Sequence, residues 1–456
     1  MQAADSDIKH PQPLNTEPLS GKLTDAYITP NELVFNRNHE SALPSSVEDA
    51  TSNGSASAGN WTVTVSADGT DDKYTGSLRG SRRVLSLEQL QSQFALSEVV
   101  ATLECAGNRR SELADSHPEP EGIQWGNAVI ANVIWGGASL RSMLLAAGVA
   151  DPFAHHASEQ LSTLEPSEES SSTQAAEWAK SLHLHLLSAQ KSKSNDAEQA
   201  QFAASIPLTT AMHPNQSCLL AYEYNHQPLT PRHGAPLRAV VPGHVGARWV
   251  KWLTALKVST SPSDSPPMRE DYKLLTPRNT QEREKEYSDK AKDGDFRSRE
   301  LDKKQPIQRL EASCAITQPA HDAEPLDQVD GKVAVKGYAV GQDGSPATNV
   351  CVALVADPGN DTDTEDLLRN LPDDLHWRQA SIHQQNAGNP PQTGWSWAWT
   401  LWHVQLPVPS ASTSYAVIAR CTTAAGVEQP KISPWNLRGF CNRSWSVVRH
   451  VSIPLT

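Results

Sequence analysis

One cysteine, Cys105, stands in a setting that could do chemistry. It follows the apolar run 99–103 and precedes the run Ala-Gly-Asn-Arg-Arg at 106–110. Neighbouring cations favour the thiolate, which is the form of cysteine that binds metals or attacks electrophiles. Taken alone, the same pattern also fits a buried structural cysteine at a strand end beside a surface arginine pair.

Three further runs combine cations with small residues. They lie at 36–39 (Asn-Arg-Asn-His), at 232–238 (Arg-His-Gly-Ala-Pro-Leu-Arg) and at 243–252, which includes Arg248 and Lys251. Small residues let the backbone approach a ligand closely, and arginine offers planar donor forks that match phosphates and oxyanions. Each run alone would also suit a solvated loop. Together with Cys105, they indicate a large polyanionic cofactor and an anionic substrate.

The composition restricts the partners and the compartment. The net charge of -13 disfavours nucleic acid and anionic membranes, and no stretch approaches the roughly 18 apolar residues of a membrane helix. The six cysteines are scattered without a C-x-x-C pair, and the polar stretch 1–15 shows no secretory signal. We therefore expect neither a nucleic-acid nor a membrane partner. We expect a soluble intracellular protein of the cytosol or of an organelle such as the mitochondrion or peroxisome.

Regular elements must position these runs. The apolar run 99–103 predicts a strand that ends at Cys105. Ser86 and Gln89 have the spacing of a capping box, which predicts that a helix begins there. A second helix is predicted to begin after Ser139 and to end at Gly148.

The length of 456 residues indicates two or three domains. We predict an α+β domain over 1–310, with an irregular lead-in over 1–30, and an all-β sandwich over 311–456, where short alternating strands recur. Polar stretches at about 155–200, 278–304 and 357–392 are interpreted as insertions, the second of them as a solvated linker without apolar periodicity.

The same runs resemble those of a known family, and the chain is identified as a member of the sulfite oxidase family. Four runs are similar to the molybdopterin domain of sulfite oxidases and eukaryotic nitrate reductases, at 35–39, 105–110, 233–238 and 246–252. Two runs, at 335–339 and 434–439, resemble the C-terminal dimerisation domain of that family. The resemblance implies an α+β molybdopterin-binding domain followed by an all-β immunoglobulin-like sandwich, and it implies a homodimer.

The resemblance also implies a cofactor and a set of site residues. The cofactor would be molybdenum held by a molybdopterin dithiolene, with Cys105 as the single protein ligand of the metal. The segments that match the pterin-binding runs of the family contain Phe35, Asn36, Arg37, Asn38, His39, His233, Arg238, Trp249, Val250 and Lys251. The substrate pocket would use Arg37, Arg110, Trp125, Tyr272 and Arg438. Trp125 could instead be a core aromatic residue, and Tyr272 a loop residue.

Two positions point to the substrate. Sulfite oxidases carry Tyr and Arg where the nitrate reductases tend to carry Asn and Met, and this chain has Tyr272 and Arg438. Sulfite and sulfate are mostly dianionic near neutral pH, so a third guanidinium offsets charge that nitrate lacks. The resemblance therefore implies oxidation of sulfite to sulfate by oxygen-atom transfer. The alternatives are a nitrate-reducing or other oxoanion-processing relative, and a catalytically impaired protein that only binds the cofactor.

Three departures from the family pattern bear on cofactors and partners. Gln190 stands where the family has an acidic pterin contact, and Trp249 stands where a small Ser is usual, which favours the impaired alternative. No His-Pro-Gly-Gly haem motif is present, so we predict no haem domain in this chain and either oxygen or a separate haem protein as electron acceptor. His183 and His185 share a strand face but lack ligands at suitable spacing, so we predict no zinc site.

Overall fold

The computed structural model of the chain describes most of its length. The described residues are 6–11, 13–39, 60–154, 175–192, 200–277, 283–320, 325–384, 394–409 and 414–454. Among their helices, none combines the length and the apolar character that crossing a bilayer requires.

An N-terminal hairpin replaces the predicted irregular lead-in, which is wrong for residues 6–18. Strands β1 (Ser6–Pro11) and β2 (Leu14–Pro18) pair antiparallel. The buried positions of β2 include the polar Asn15 and Glu17, so no apolar alternation marked the strand. Thr16 and Asn36 exchange backbone hydrogen bonds of 3.0 and 3.1 Å, so the hairpin holds the 36–39 run in place.

The first domain contains two five-stranded sheets. One has the order β10-β9-β6-β5 with β11 beside β9, and its pairs are antiparallel. Its strands are β5 (Leu96–Glu104), β6 (Ile130–Ser139), β9 (Leu219–Tyr224), β10 (Gln227–Pro228) and β11 (Arg238–Val240). The prediction of a strand that ends at Cys105 is therefore confirmed.

The second sheet has the order β4-β3-β12-β7-β8, in which only the β3–β12 pair is parallel. Its strands are β3 (Thr62–Asp68), β4 (Arg83–Ser86), β7 (His183–Ser192), β8 (Ala200–Pro207) and β12 (Leu253–Ser259). Strand β7 lies inside the stretch interpreted as a surface insertion over 155–200, so that interpretation is wrong for 183–192. Residues 155–174 and 193–199 lie outside the described residues.

Short helices connect the strands of the first domain. They are α1 (Ser20–Leu23), α2 (Asp72–Thr75), α3 (Leu87–Gln93), α4 (Leu140–Ala146), α5 (Glu177–Lys180) and α6 (Leu208–Met212). The capping box predicted at Ser86 is present, since Ser86 Oγ accepts from Gln89 N while Gln89 Oε1 accepts from Ser86 N. Ser139 caps α4 as predicted, by accepting from Ser142 N at 3.3 Å.

Two helices occupy most of the stretch that was interpreted as a solvated linker, and that interpretation is wrong for residues 283–302. They are α7 (Glu284–Lys290) and α8 (Gly294–Asp302). Tyr287 and Leu301 are buried in a small cluster with Trp435 and Leu437. Because so few apolar residues form this face, the helical period is hidden among charged residues.

The C-terminal part is a sandwich of two four-stranded antiparallel sheets, with strand orders β13-β14-β18-β17 and β16-β15-β19-β20. The first contains β13 (Ser313–Gln318), β14 (Lys332–Val340), β17 (Ser381–His383) and β18 (Thr400–Pro407). The second contains β15 (Ala347–Ala356), β16 (Arg378–Gln379), β19 (Ser414–Thr423) and β20 (Ser446–Ser452). The polar stretch 357–392 contributes β16, β17 and helix α9 (Thr364–Arg369), while residues 385–393 lie outside the described part.

The turn after Cys105 contacts the sandwich through buried polar side chains. Asn108 Nδ2 donates to Tyr338 Oη at 2.9 Å, and Arg109 Nη1 donates to Ser444 O at 2.8 Å. Cys441 N donates to Ala106 O at 2.7 Å. The two halves of the chain therefore meet at the run 105–110.

Candidate functional site

Cys105 lies directly after β5 and lines a cavity whose empty space, open solvent at its mouth included, is about 700 Å³. Its side chain is almost fully buried, and its backbone N donates to Val129 O at 3.0 Å, which continues the ladder between β5 and β6. Gly107 N lies 3.4 Å from Cys105 Sγ and donates to it. The thiol is thus presented to the cavity from a rigid strand end.

The two arginines after Cys105 have different environments. Arg109 has a positive φ of 64° and is buried, and its guanidinium binds Glu112 as well as carbonyls of the sandwich. Arg110 Nε donates to Arg438 O at 2.8 Å, and its Nη1 donates to Ile123 O at 2.6 Å. Arg109 therefore joins the two domains, whereas Arg110 borders the candidate substrate site.

The cavity wall is cationic. It contains the side chains of Arg37, Arg232, Arg238 and Lys251, and no carboxylate is present among its described lining residues. Burial lowers the pKa of Arg238 to about 9, because the charged form loses its hydration. Arg238 is buried, Arg37 and Lys251 are half-buried, and Arg232 is exposed. Cations this close together repel one another until an anion lies between them, so the cavity is suited to a polyanionic ligand.

Some residues of the run 35–39 line the cavity, and the others bind the N-terminal hairpin. Phe35, Arg37 and His39 line the cavity. Asn36 and Asn38 point to the hairpin instead, since Asn36 Nδ2 donates to Thr16 Oγ1 at 2.9 Å and Asn38 Nδ2 donates to Leu14 O at 2.8 Å.

Lys251 lines the cavity and hydrogen-bonds to two neighbouring loops. Its Nζ donates to Arg37 O at 3.0 Å, to Arg232 O at 3.0 Å and to Asn38 Oδ1. An ammonium group has three donors, so this side chain is saturated by protein contacts. Burial and the nearby Arg238 and Arg37 hold the pKa of Lys251 well below its usual value.

The run 233–250 supplies further lining residues. His233 and Val250 line the cavity, and His233 Nδ1 lies 2.7 Å from Thr230 Oγ1. Arg238 donates to His233 O and Trp249 O, at 2.8 and 3.1 Å. Trp249 is buried, and its indole Nε1 donates to His244 O at 3.0 Å.

Tyr272 lines the same cavity, and its ring has two packing partners. Its ring stacks on Phe440 with a centroid distance of 5.3 Å, and the Arg248 guanidinium lies 5.7 Å from its centroid. Burial raises the pKa of Tyr272 to about 12, so the phenol is protonated at neutral pH. The Arg438 guanidinium lies over the ring of Phe440, with its Cζ 5.3 Å from the ring centroid. Its Nη2 lies 3.8 Å from Asp271 Oδ1.

The charges of the predicted substrate residues affect one another's pKa values. Burial lowers the pKa of Arg110 to about 10, the charge of Cys105 opposes that shift, and the charges of Arg438 and Arg37 add to it. The charges of Arg37, Cys105 and Arg438 also act on Tyr272. The fold thus brings together groups that are up to 401 positions apart in the chain, from Arg37 to Arg438.

Of the predicted substrate residues, Arg37 and Tyr272 line the cavity, whereas Arg110, Arg438 and Trp125 are not among its lining residues. Trp125 is a core residue. It is buried in the core of the first domain, and a Cβ placed on Gly107 would approach its Cδ1 to 3.0 Å. Its carbonyl accepts from Ser111 N at 2.9 Å. The structure therefore gives it a packing contact with the 107–111 turn, beside Arg110.

Several cavity residues were not predicted, namely Ser188, Phe202, Arg232 and Trp252. Ser188 and Phe202 come from β7 and β8, consecutive strands that pair antiparallel. Gln190, flagged by its position in β7, also lines the cavity, and its Nε2 is buried without a hydrogen-bond partner. His185 lies on the same strand, where its Nε2 is 2.8 Å from Ser261 O.

Replacing Gly107 with alanine is expected to lower the free energy of unfolding by about 1–3 kcal/mol, as overpacking does. A Cβ at this position would lie 2.8 Å from Arg110 Nη2 and 3.0 Å from Trp125 Cδ1, so one of the two must move. Denaturant unfolding measures the change. The matched control is Gly294→Ala, where a Cβ meets nothing within 4 Å; equal stability of the two variants would contradict the packing argument.

Known protein families match both parts of the chain. Residues 57–267 match the oxidoreductase molybdopterin binding domain, and residues 304–452 match the Mo-co oxidoreductase dimerisation domain. The chain is 32% identical over 461 residues to a protein named "Sulfite oxidase, mitochondrial" from Macaca fascicularis, covering 99% of this chain and 67% of that protein. It is 30% identical to a protein named "Sulfite oxidase" from Arabidopsis thaliana, covering 95% of this chain and 91% of that protein.

A nitrate reductase and a solved structure are also similar to this chain. A protein named "Nitrate reductase [NADH]" from Hordeum vulgare is 28% identical, with 97% of this chain and 40% of that protein covered. The solved structure of the sulfane dehydrogenase SoxCD from Paracoccus pantotrophus superposes with a TM-score of 0.62 at 19% identity, covering 98% of this chain and 88% of that chain. The family and the fold predicted from the sequence are therefore confirmed, and the chain belongs to the sulfite oxidase family of molybdopterin-dependent oxidoreductases.

Proposed function

We propose that this oxidoreductase converts sulfite to sulfate with molybdopterin-bound molybdenum, and that Cys105 is the ligand of the metal. The observation that carries the proposal is the cavity that Cys105 lines together with Arg37 and Tyr272, with Arg110 bound to the carbonyl of Arg438 in the adjoining turn. Three guanidinium groups and a phenol suit a small dianion better than a monoanion, because each added cation offsets one more unit of charge.

The residues of the cavity fit a molybdopterin group. Gln190 Nε2 and Arg238 Nε are buried without a hydrogen-bond partner, so both offer donors to a ligand. Arg37, Arg232 and Lys251 contribute charge to the same wall, which suits a phosphate and polar pterin edges. Gln190 can donate through its amide, so the loss of the acidic residue usual in the family leaves a usable hydrogen-bonding group.

The chain itself would bind, orient and shield the substrate. When bound, the cofactor would supply oxygen-atom transfer and accept two electrons. Arg110 and Arg438 would hold the anion, since Arg110 is fixed by the carbonyls of Arg438 and Ile123. Tyr272, protonated and stacked on Phe440, would donate a hydrogen bond to a substrate oxygen.

The assembly and the electron acceptor complete the proposal. The match to a dimerisation domain over 304–452 supports a homodimer. Val329 and Ile382 of the sandwich are 70% and 39% exposed, and such apolar residues suit an interface. Oxygen or a separate haem protein would take the electrons.

The test is production in a molybdenum-replete host, followed by measurement of molybdenum per chain and of ferricyanide reduction with sulfite. About one molybdenum per chain with sulfite-dependent reduction is the expected result. Full molybdenum loading without sulfite turnover would reject the proposed substrate. Reduction of nitrate by the same preparation would favour the nitrate-reducing alternative, and absence of bound molybdenum would favour the impaired one.

Replacing Arg238 with methionine is expected to reduce the molybdopterin retained per chain by about tenfold. The reason is that a charge-assisted hydrogen bond contributes about 1.5–3 kcal/mol. Arg238 has a free Nε and stacks on Trp135, with 4.8 Å from Cζ to the ring centroid, so methionine keeps part of the packing. Fluorescence of the released, oxidised pterin measures the content. Arg378→Met on the exposed strand β16 is the control; equal content in both variants would remove Arg238 from the cofactor site.

A further inference from the structure

A line of polar contacts connects Arg37, His39 and Tyr272 along the cavity wall. Arg37 Nη2 lies 3.4 Å from His39 Nδ1, and His39 Nε2 lies 3.0 Å from Tyr272 Oη. Among the described residues, Tyr272 Oη has no other hydrogen-bond partner. The direction of these two bonds determines where the phenol proton points.

The guanidinium of Arg37 determines the direction of the first bond. Arginine can only donate, so His39 Nδ1 must accept. A neutral imidazole carries one proton, and with Nδ1 as acceptor that proton is on Nε2. His39 therefore donates to Tyr272 Oη, which accepts with a lone pair.

His39 is held in its neutral form. Burial, and then the charges of Arg37, Lys251 and Arg438, keep the pKa of His39 well below its usual value. Its ring lies against Phe202, with 5.4 Å between the centroids. The imidazole therefore has one tautomer and little freedom to rotate.

We propose that His39 is a positioning residue that donates its Nε2 hydrogen to Tyr272 Oη and so directs the phenol proton into the cavity. There the phenol donates to an oxygen of an anionic substrate, which makes the site selective for ligands with acceptor oxygens. The identity of that substrate rests on the proposed function, whereas the tautomer and the bond direction rest on the geometry alone.

The tautomer is tested in the molybdenum-loaded protein, labelled with ¹⁵N-histidine. Long-range proton–nitrogen correlations distinguish Nε2–H from Nδ1–H, and the His39→Gln variant identifies the signal by its loss. The expected result is a neutral ring with the proton on Nε2. A proton on Nδ1, or on both nitrogens, would overturn the proposal.

The consequence for the anion is tested by a double-mutant cycle with sulfate, measured by calorimetric titration so that turnover is not needed. His39→Leu is expected to weaken sulfate binding about tenfold, because the phenol proton is no longer directed. In a Tyr272→Phe background the same change should have an effect below about twofold. His39→Gln should bind close to wild type, since its amide can donate to Oη and accept from Arg37.

The controls separate this inference from the proposed function. His403→Leu, on the exposed face of β18, should bind sulfate like the wild type. Equal weakening by His39→Leu in the wild-type and the Tyr272→Phe backgrounds would overturn the positioning role. A wild-type protein with the Nε2 tautomer that binds no sulfate would instead reject the proposed substrate and keep the bond direction.

Discussion

Replacing Cys105 with serine is expected to abolish sulfite oxidation, with a loss of at least about a thousandfold in kcat, while molybdopterin stays largely bound. Thiolate sulfur is a soft ligand, and metal-ion catalysis contributes several kcal/mol, so exchange for a hydroxyl removes the coordination that supports the reaction. The cations that would hold the cofactor, Arg37, Arg238 and Lys251, are unchanged in the variant.

The measurement combines turnover with molybdenum and pterin content per chain. Serine is nearly isosteric with cysteine, and within the described part of the chain Cys105 Sγ receives a hydrogen bond only from Gly107 N, at 3.4 Å, so we expect the fold to be kept. Cys351→Ser provides a matched control, because Cys351 is a half-buried free cysteine of the sandwich. Turnover by the Cys105→Ser variant at the wild-type rate would refute the ligand assignment.

The second large effect is expected at Arg438. Arg438→Met should raise the KM for sulfite by about 10- to 100-fold, with a smaller change in kcat. A charge-assisted hydrogen bond contributes about 1.5–3 kcal/mol, and each 1.4 kcal/mol is tenfold in affinity. Asp271, whose Oδ1 lies 3.8 Å from Arg438 Nη2, would remain without its cation and would repel an anion further.

Steady-state kinetics over a range of sulfite concentrations test this prediction at equal molybdenum content. Arg378→Met is the control, since Arg378 lies on the exposed strand β16 of the sandwich. We expect its KM to stay within about twofold of the wild type. A similar rise in KM for both variants would mean that general positive charge, and not a specific contact, draws sulfite to the site.

The chemistry of the loops could be predicted because it depends on residue type and local order. Cys105 follows a continuous apolar strand, and the runs that contain Arg37, His233 and Lys251 are marked by cations beside small residues. Their meeting in one cavity follows from the order of the strands, which local patterns do not encode. Family resemblance supplied that long-range information.

Other features lacked a local signal. The hairpin β1–β2 buries Asn15 and Glu17, whose polarity hides the strand. Helices α7 and α8 bury only a few apolar side chains, among them Tyr287 and Leu301, within a charged sequence. The register of β7 and β8 shifts between Leu187 and Lys191. Because of this irregularity, a strict alternation of inward and outward side chains along β7 does not predict which way Gln190 faces.

The buried contacts between the 105–110 turn and the sandwich have a consequence for how the protein can be divided. Arg109 donates to Cys314 O and Ser444 O, and Asn108 donates to Tyr338 Oη, so this turn uses the other domain as part of its own interior. Arg110, in turn, is bound to the carbonyl of Arg438. A fragment that ends before the sandwich would lose these partners, and it would expose an arginine and an asparagine that water would have to solvate. The two domains are thus separate in architecture but inseparable as an enzyme, and shuffling one of them between relatives would require the other to change with it.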